Sequence, residues 1–300
     1  LINVILNWYN KLKQIVTLLM GFNNMNNDQL EKEIEKYQKK YGKNLYHYTS
    51  MNTLFGMVKN REIWMSSTGS MNDRKEITYY IEMLEKSLVS YDRKDFFEKI
   101  YNRIPLNYKY AFCLSTQKDD AAQWERYGDS AMGVCISFNV AELYKCIYGY
   151  SDIMFNQVFY EDSVTEEKYY EIVKEYFETG KIDVYASEEE LIRQLIYAGN
   201  LHKHKSFKNE YEVRLTTLDN LKQYGMEYTL KEIGNVVKKV LILKPDYMGR
   251  SKNTSFENLI DEIIVGPRSQ QNITVLSQYM ISHGLFDLAN KITISECPLR

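Results

Sequence analysis

Glu210, Glu212 and Arg214 recur at every second position of the stretch FKNEYEVRL, residues 207–215. Successive side chains of an extended strand point to opposite faces. The spacing therefore gathers these three ionisable groups on one side and Tyr211, Val213 and Leu215 on the other. Two carboxylates this close repel unless a cation, a water or a ligand separates them, and Arg214 is the cation the motif itself supplies. Paired carboxylates with one displaced pKa serve acid–base and ribosyl-transfer chemistry. A solvated strand face with a weak salt bridge uses the same residues, so the motif needs companions.

Four further groups qualify. HYTS at 47–50 sets His47 at the end of a predicted strand and just before a helix start, where one ring nitrogen can meet a ribose hydroxyl while the backbone fixes the other. A half-buried histidine bonded to a carbonyl fits equally. In SMNDRKE, Asn72 and Asp73 suit a helix cap and Glu76 its first turn; Asn72 and Glu76 can also wall a cleft opposite His47. FCLSTQKDDAAQWERYG offers Ser115 at a strand end, outside any nucleophile-elbow setting, and Trp124 with Tyr127 on one helical face. In IVGPRS, Arg268 beside a helix N-terminus can hold an anion.

Other chemistries find less support. Cys113, Cys135, Cys146 and Cys297 have no C-x-x-C spacing, and His202 and His204 are two apart rather than four, so no metal site is expected. The thiols read as reduced and the protein as cytoplasmic. A net charge of -2 argues against wrapping nucleic acid by charge alone, leaving HKHKSFK at 202–208 as the local basic patch for such a partner. Polar residues interrupt the apolar runs of the first 22 residues, which predicts an amphipathic helix rather than a membrane span.

The elements that must position these residues alternate irregularly. Helices are expected at 26–41, from the cap Ser50 to about 60, at 75–90 and 93–103, a short one opened by Asp119 and Asp120, one capped by Asn139, and others at 165–179, 187–203 and 269–283. Strands are expected at 45–49, 62–67, 108–115, 132–138, 153–161 and 207–215, then at 226–230, 238–243 and 261–267, with ITIS last. No βαβ repeat and no Gly-rich phosphate loop emerges. This predicts an α+β fold, a mixed central sheet of short strands flanked by helices. Residues 1–43 form an N-terminal helical extension, and 44–296 a single domain with a helical insertion at about 162–205.

Taken together, HYT, the Asn72-Asp73-x-x-Glu76 run, FCLS followed by W-x-x-Y-G, EYEVR and IIVGP resemble the bacterial domain-of-unknown-function family twenty-nine seventy-one, over Leu45 to Ser269. That family name carries no activity. A second resemblance is to ADP-ribosyltransferases, in which an early strand, a middle strand and a late strand supply a His or Arg, a Ser or Tyr, and a catalytic Glu. The matching positions are His47 with Thr49, then Ser115, then Glu210 with Glu212, although the long helical insertion and the missing Ser-Thr-Ser strand depart from that pattern.

That second resemblance implies NAD as substrate, with Glu212, Glu210 and His47 catalytic. Tyr48, Thr49, Asn72, Glu76, Ser115, Trp124, Tyr127 and Arg214 would bind it beside His47. It implies protein, nucleic acid or water as acceptor, the last making the enzyme an NAD glycohydrolase, with a macromolecular acceptor or an antitoxin as partner and the role of a toxin or phage-defence effector. A non-catalytic module sensing a nucleotide or a protein is the alternative. A metal-dependent nuclease drawing on Asp119, Asp120, Glu210 and Glu212 is a third reading.

Overall fold

The computed structural model describes residues 27–70, 76–106, 109–148, 153–160, 168–182, 184–217, 228–233, 236–247 and 254–299. Asn72, Asp73 and the first 24 residues lie outside the described residues, as does the side chain of Glu76. Ten strands are described: β1 (Asn44–Thr49), β2 (Ile63–Ser67), β3 (Tyr110–Ser115), β4 (Val134–Asn139), β5 (Ile153–Gln157), β6 (Glu212–Thr217), β7 (Tyr228–Ile233), β8 (Val236–Leu243), β9 (Ile260–Val265) and β10 (Ile292–Ile294). The main helices are α1 (Asn27–Tyr41), α2 (Met51–Asn60), α3 (Glu76–Ser87), α4 (Lys94–Arg103), α5 (Ala121–Tyr127), α6 (Val140–Ile147), α7 (Lys168–Thr179), α8 (Glu188–Gly199) and α9 (Ile273–Ser282). The fold is α+β, with helices gathered around one mixed sheet.

Local chemistry sets several boundaries. Ser50, Asp120 and Asn139 each cap a helix by accepting from backbone N–H groups that have no partner in the first turn. Gly266 of the IIVGP motif is required by close approach, since a Cβ there would lie 2.3 Å from the Ala131 carbonyl oxygen.

The sheet runs β10-β9-β4-β1-β3-β2-β8-β7, with β6 also on β3 and β5 on β6. The branch at β3 creates the cleft. Ala111 pairs with both Thr216 of β6 and Ser66 of β2, while Ser115 pairs with both Glu212 of β6 and Tyr46 of β1. A strand has only two edges, so β1 and β2 share the one opposite β6. They meet β3 at its two ends and splay apart between.

One face of the sheet buries the main core: Leu45, Phe112, Leu114, Ile136, Val213 and Leu215 among others, covered by α1, α2, α6 and α9. Each fully buried side chain of this kind contributes about 1.5–3 kcal/mol. Tyr37 and Tyr41 of α1 pack on Phe155, so this helix is seated on the body of the domain. The opposite face carries the cleft and the charged residues.

A second core joins Tyr80 and Ile81 of α3, Phe96 and Ile100 of α4, Val173 of α7 and Leu195 of α8. The helical lobe expected from 162–205 alone therefore draws half its helices from 76–103. An amphipathic helix does not reveal which other helix covers its apolar stripe.

The strand expected over 207–215 is shorter than its alternation suggested. Residues Lys205–Glu210 form a 3-10 helix, Tyr211 adopts the left-handed conformation at φ 46°, and β6 begins only at Glu212. Tyr211 is consequently exposed, whereas Val213 and Leu215 enter the core as alternation requires. No helix among the described residues is long and apolar enough to cross a membrane.

Candidate functional site

Where β1 and β2 splay from β3, a cleft of about 510 Å³ opens on the charged face of the sheet, within the size range of small-molecule pockets. Strand β6 forms part of its wall. Glu212 and Arg214 lie two apart on that strand, facing Ser115 and Cys113 of β3 across the ladder. Arg214 donates from Nε to Glu212 Oε1 at 2.7 Å and from Nη2 to Oε2 at 3.1 Å, while Nη1 donates to the Asn200 carbonyl at 2.5 Å.

Glu210 reaches the same place by another route. The turn at Tyr211 swings its carboxylate inward, where Tyr127 donates to Oε1 at 2.5 Å and Lys203 to Oε2 at 2.7 Å. The Lys203 ammonium also lies 2.8 Å from Glu212 Oε2. One buried cation thus joins both carboxylates, and Arg126 adds an exposed contact to Glu210 at 3.3 Å. Burial alone would raise the pKa of Glu212, but Arg214 and Lys203 together outweigh it and hold the group well below the usual carboxylate range. Burial drives the Tyr127 hydroxyl and the Cys113 thiol upward, so both stay protonated.

Lys203 was hidden in the sequence. In HKHKSFK it reads as part of a surface patch, yet His202 and Lys203 are buried, while Lys205 and Lys208 are exposed. Backbone pairing of Phe159 with Leu201 and Lys203 lays this segment beside the sheet, and the His202 ring stacks between Tyr80 and Phe159. Asn200 and Lys203 follow directly on α8, so the helical lobe delivers two contacts to the cleft. The only sequence signal was a lysine seven residues ahead of a glutamate pair.

His47 sits at the divergence of β1 and β3, where its Nδ1 lies 2.8 Å from the Cys113 carbonyl oxygen. A carbonyl only accepts, so Nδ1 carries the proton. Burial pushes His47 down to about 4, against the opposing influence of that hydrogen bond. At neutral pH the ring is therefore uncharged, and Nε2 presents a lone pair.

This shift carries a pH dependence. Between the unfolded value of 6.5 and the folded value of about 4, the unfolded chain binds a proton that the folded ring refuses. Stability accordingly falls as pH is lowered through this window, by about 2 kcal/mol from this residue. Urea unfolding at pH 7 and pH 4.5 should show that loss in the wild type and a smaller one in His47→Gln. Equal losses would remove His47 as its source.

The remaining candidates divide. Tyr48 lines the cleft, but its hydroxyl donates to the Gln117 carbonyl and accepts from the Asp120 N–H, both at 2.9 Å. Ser115 is similarly engaged, donating to the Glu210 carbonyl at 2.8 Å and accepting from Gln117 N at 3.1 Å. Trp124 is wholly buried with its ring edge-on to Tyr48, and Thr49 is buried as well; neither lines the cleft. Trp124 fixes the loop before α5 instead, donating to Asp119 Oδ1 at 2.7 Å.

Asp119, Asp120 and Arg268 have partners within the protein. Asp119 also accepts from Ser295 and from the Glu296 N–H, and Asp120 is spent as the α5 cap. No cluster of potential metal ligands exists among the described residues. Arg268 is paired with Glu125 at 2.6 Å instead of guarding a helix start.

Neither the curated proteins nor the solved structures searched yield a match to this chain. The family comparison does, over a narrower span than the five motifs suggested, leaving His47 and the IIVGP motif outside it. From the α5 residues that hold Glu210 to the strand that carries Glu212 and Arg214, residues 123–215 match the family described as "Protein of unknown function (DUF2971)".

Proposed function

We propose that the cleft binds NAD and transfers its ADP-ribosyl group to a macromolecular acceptor, in the manner of an ADP-ribosyltransferase. The observation that carries this reading is strand adjacency: β1, β3 and β6 are neighbours, and His47, Ser115 and Glu212 from these strands line one cleft. The order early, middle, late matches that of the transferases the sequence resembles. The lining fits the molecule, with cationic side chains for a pyrophosphate and the Tyr127 and Phe207 rings for a base.

In this reading His47 Nε2 accepts a hydrogen bond from a ribose hydroxyl. Cleavage of the nicotinamide bond leaves positive charge on the ribose, as in glycoside hydrolysis. Glu212, ionised at all physiological pH values, stabilises that charge. Glu210 orients the acceptor or takes its proton, while Arg214 keeps Glu212 in place. The setting would be the cytoplasm, in a toxin or phage-defence effector.

One observation favours a second reading, a non-catalytic nucleotide-sensing module. Each carboxylate oxygen of Glu210 and Glu212 already accepts a hydrogen bond or ion pair from within the protein. Nicotinamide release from NAD, with and without cell extract as acceptor source, separates the two. Release should appear in the wild type and fall by a factor of about 10² or more in Glu212→Gln, normalised to folded protein. No release from the wild type in either condition would sink the transferase and leave the sensor.

A further inference from the structure

Lys238 of β8 stands directly opposite Lys231 of β7. Like charges in that position destabilise a strand pair unless each is compensated. Lys231 is compensated, 3.2 Å from Glu62 and 4.8 Å from the Trp64 ring centroid. Lys238 is half-buried and lines the cleft, yet among the described residues no hydrogen bond or ion pair engages it.

The charge balance of the cleft points the same way. Arg126, Lys203, Arg214 and Lys238 set four positive charges against the two of Glu210 and Glu212. Three of those cations already contact the two carboxylates, which leaves Lys238 on the β8 wall, beside Trp64 of the neighbouring strand, as the lining cation without a carboxylate beside it. A low-dielectric wall strengthens the attraction between such a cation and an incoming anion.

We propose that Lys238 is the phosphate-binding residue of a nucleotide site, holding the anionic end of the ligand on the β2–β8 wall. Lysine suits this task as a compact point charge with three donors. The nucleotide nature of the ligand rests on the functional reading above, while the anion subsite rests on the unmatched lysine.

The test is calorimetric titration of ADP and of adenosine into the full chain, wild type beside Lys238→Gln and Lys239→Gln. Lys239 is the exposed neighbour on the opposite face of β8 and serves as control. Wild type and Lys239→Gln should bind ADP at least about tenfold more tightly than adenosine, and Lys238→Gln should cut that preference to about threefold or less. Circular dichroism would establish that all three fold alike. Failure of ADP to bind, equal binding of ADP and adenosine by wild type, or a preference that survives in Lys238→Gln would each overturn the assignment. ADP has no nicotinamide bond, so the outcome is independent of turnover. Lys238-dependent ADP binding without nicotinamide release would sink the transferase and keep the subsite; release with unchanged preference in Lys238→Gln would do the reverse.

Discussion

Arg214→Met is expected to lower the unfolding free energy by about 3–5 kcal/mol, the cost of breaking a buried ion pair from one side. The guanidinium is almost wholly buried and satisfies both oxygens of Glu212 and the Asn200 carbonyl. Without it Glu212 keeps the Lys203 ammonium, which it shares with Glu210, as its cation, and the carbonyl loses this donor. In a chain of this size the melting temperature should drop by on the order of 10 °C. Glu212→Gln removes charge but keeps an acceptor, so a loss of several degrees is expected there as well. That differs from a purely catalytic glutamate, which would leave stability untouched.

The effect has a pH signature. A carboxylate whose folded pKa is depressed contributes stability that is present above its unfolded value of about 4.3 and is lost as pH falls below it. The gap between wild type and Arg214→Met should therefore be full at pH 7 and shrink in acid below about pH 4. Urea unfolding followed by circular dichroism across this range is the measurement. An Arg214→Met protein as stable as wild type at pH 7 would mean that Lys203 alone neutralises Glu212.

Val213→Asp should yield no folded protein. Val213 pairs with Leu114 on the apolar face, and an unpaired aspartate there costs several kcal/mol, comparable to the whole stability of a domain. Tyr211→Asn makes the useful contrast, because simple strand alternation assigns residues 211 and 213 to one buried face. Tyr211 is instead exposed and left-handed, a conformation asparagine tolerates. Stability within about 0.5 kcal/mol of wild type, or higher, is expected. Severe destabilisation of Tyr211→Asn would restore the longer strand; a soluble, cooperatively unfolding Val213→Asp would refute the core assignment.

What the sequence revealed depended on how local the cause was. The caps at Ser50, Asp120 and Asn139 and the alternation of Val213 and Leu215 depend on neighbours a few residues away, and each appears in the structure where expected. Glu210 and Glu212 were also grouped correctly, although by the wrong geometry. Alternation would have held them along one strand, whereas the turn at Tyr211 brings them around a single ammonium. Lys203 and Arg126 escaped notice because their roles are set by how the segment after α8 and helix α5 close around Glu210, which no local pattern records. Trp124 illustrates the converse: an aromatic pair on one helical face gives no indication of which ring turns inward, and this one fills a core.

The helical lobe has a kinetic consequence. Its two halves, α3 with α4 and α7 with α8, are separated along the chain by three strands of the sheet. Neither half can cover its apolar stripe until the intervening segment has brought the other alongside, which is a long loop to close. Contacts of such sequence separation form late and slowly. Lys203 and Asn200, which follow α8, should thus be among the last groups to reach the glutamates. A refolding chain would acquire its sheet before its charge network, passing through a stage in which Glu212 is still free to take up a proton.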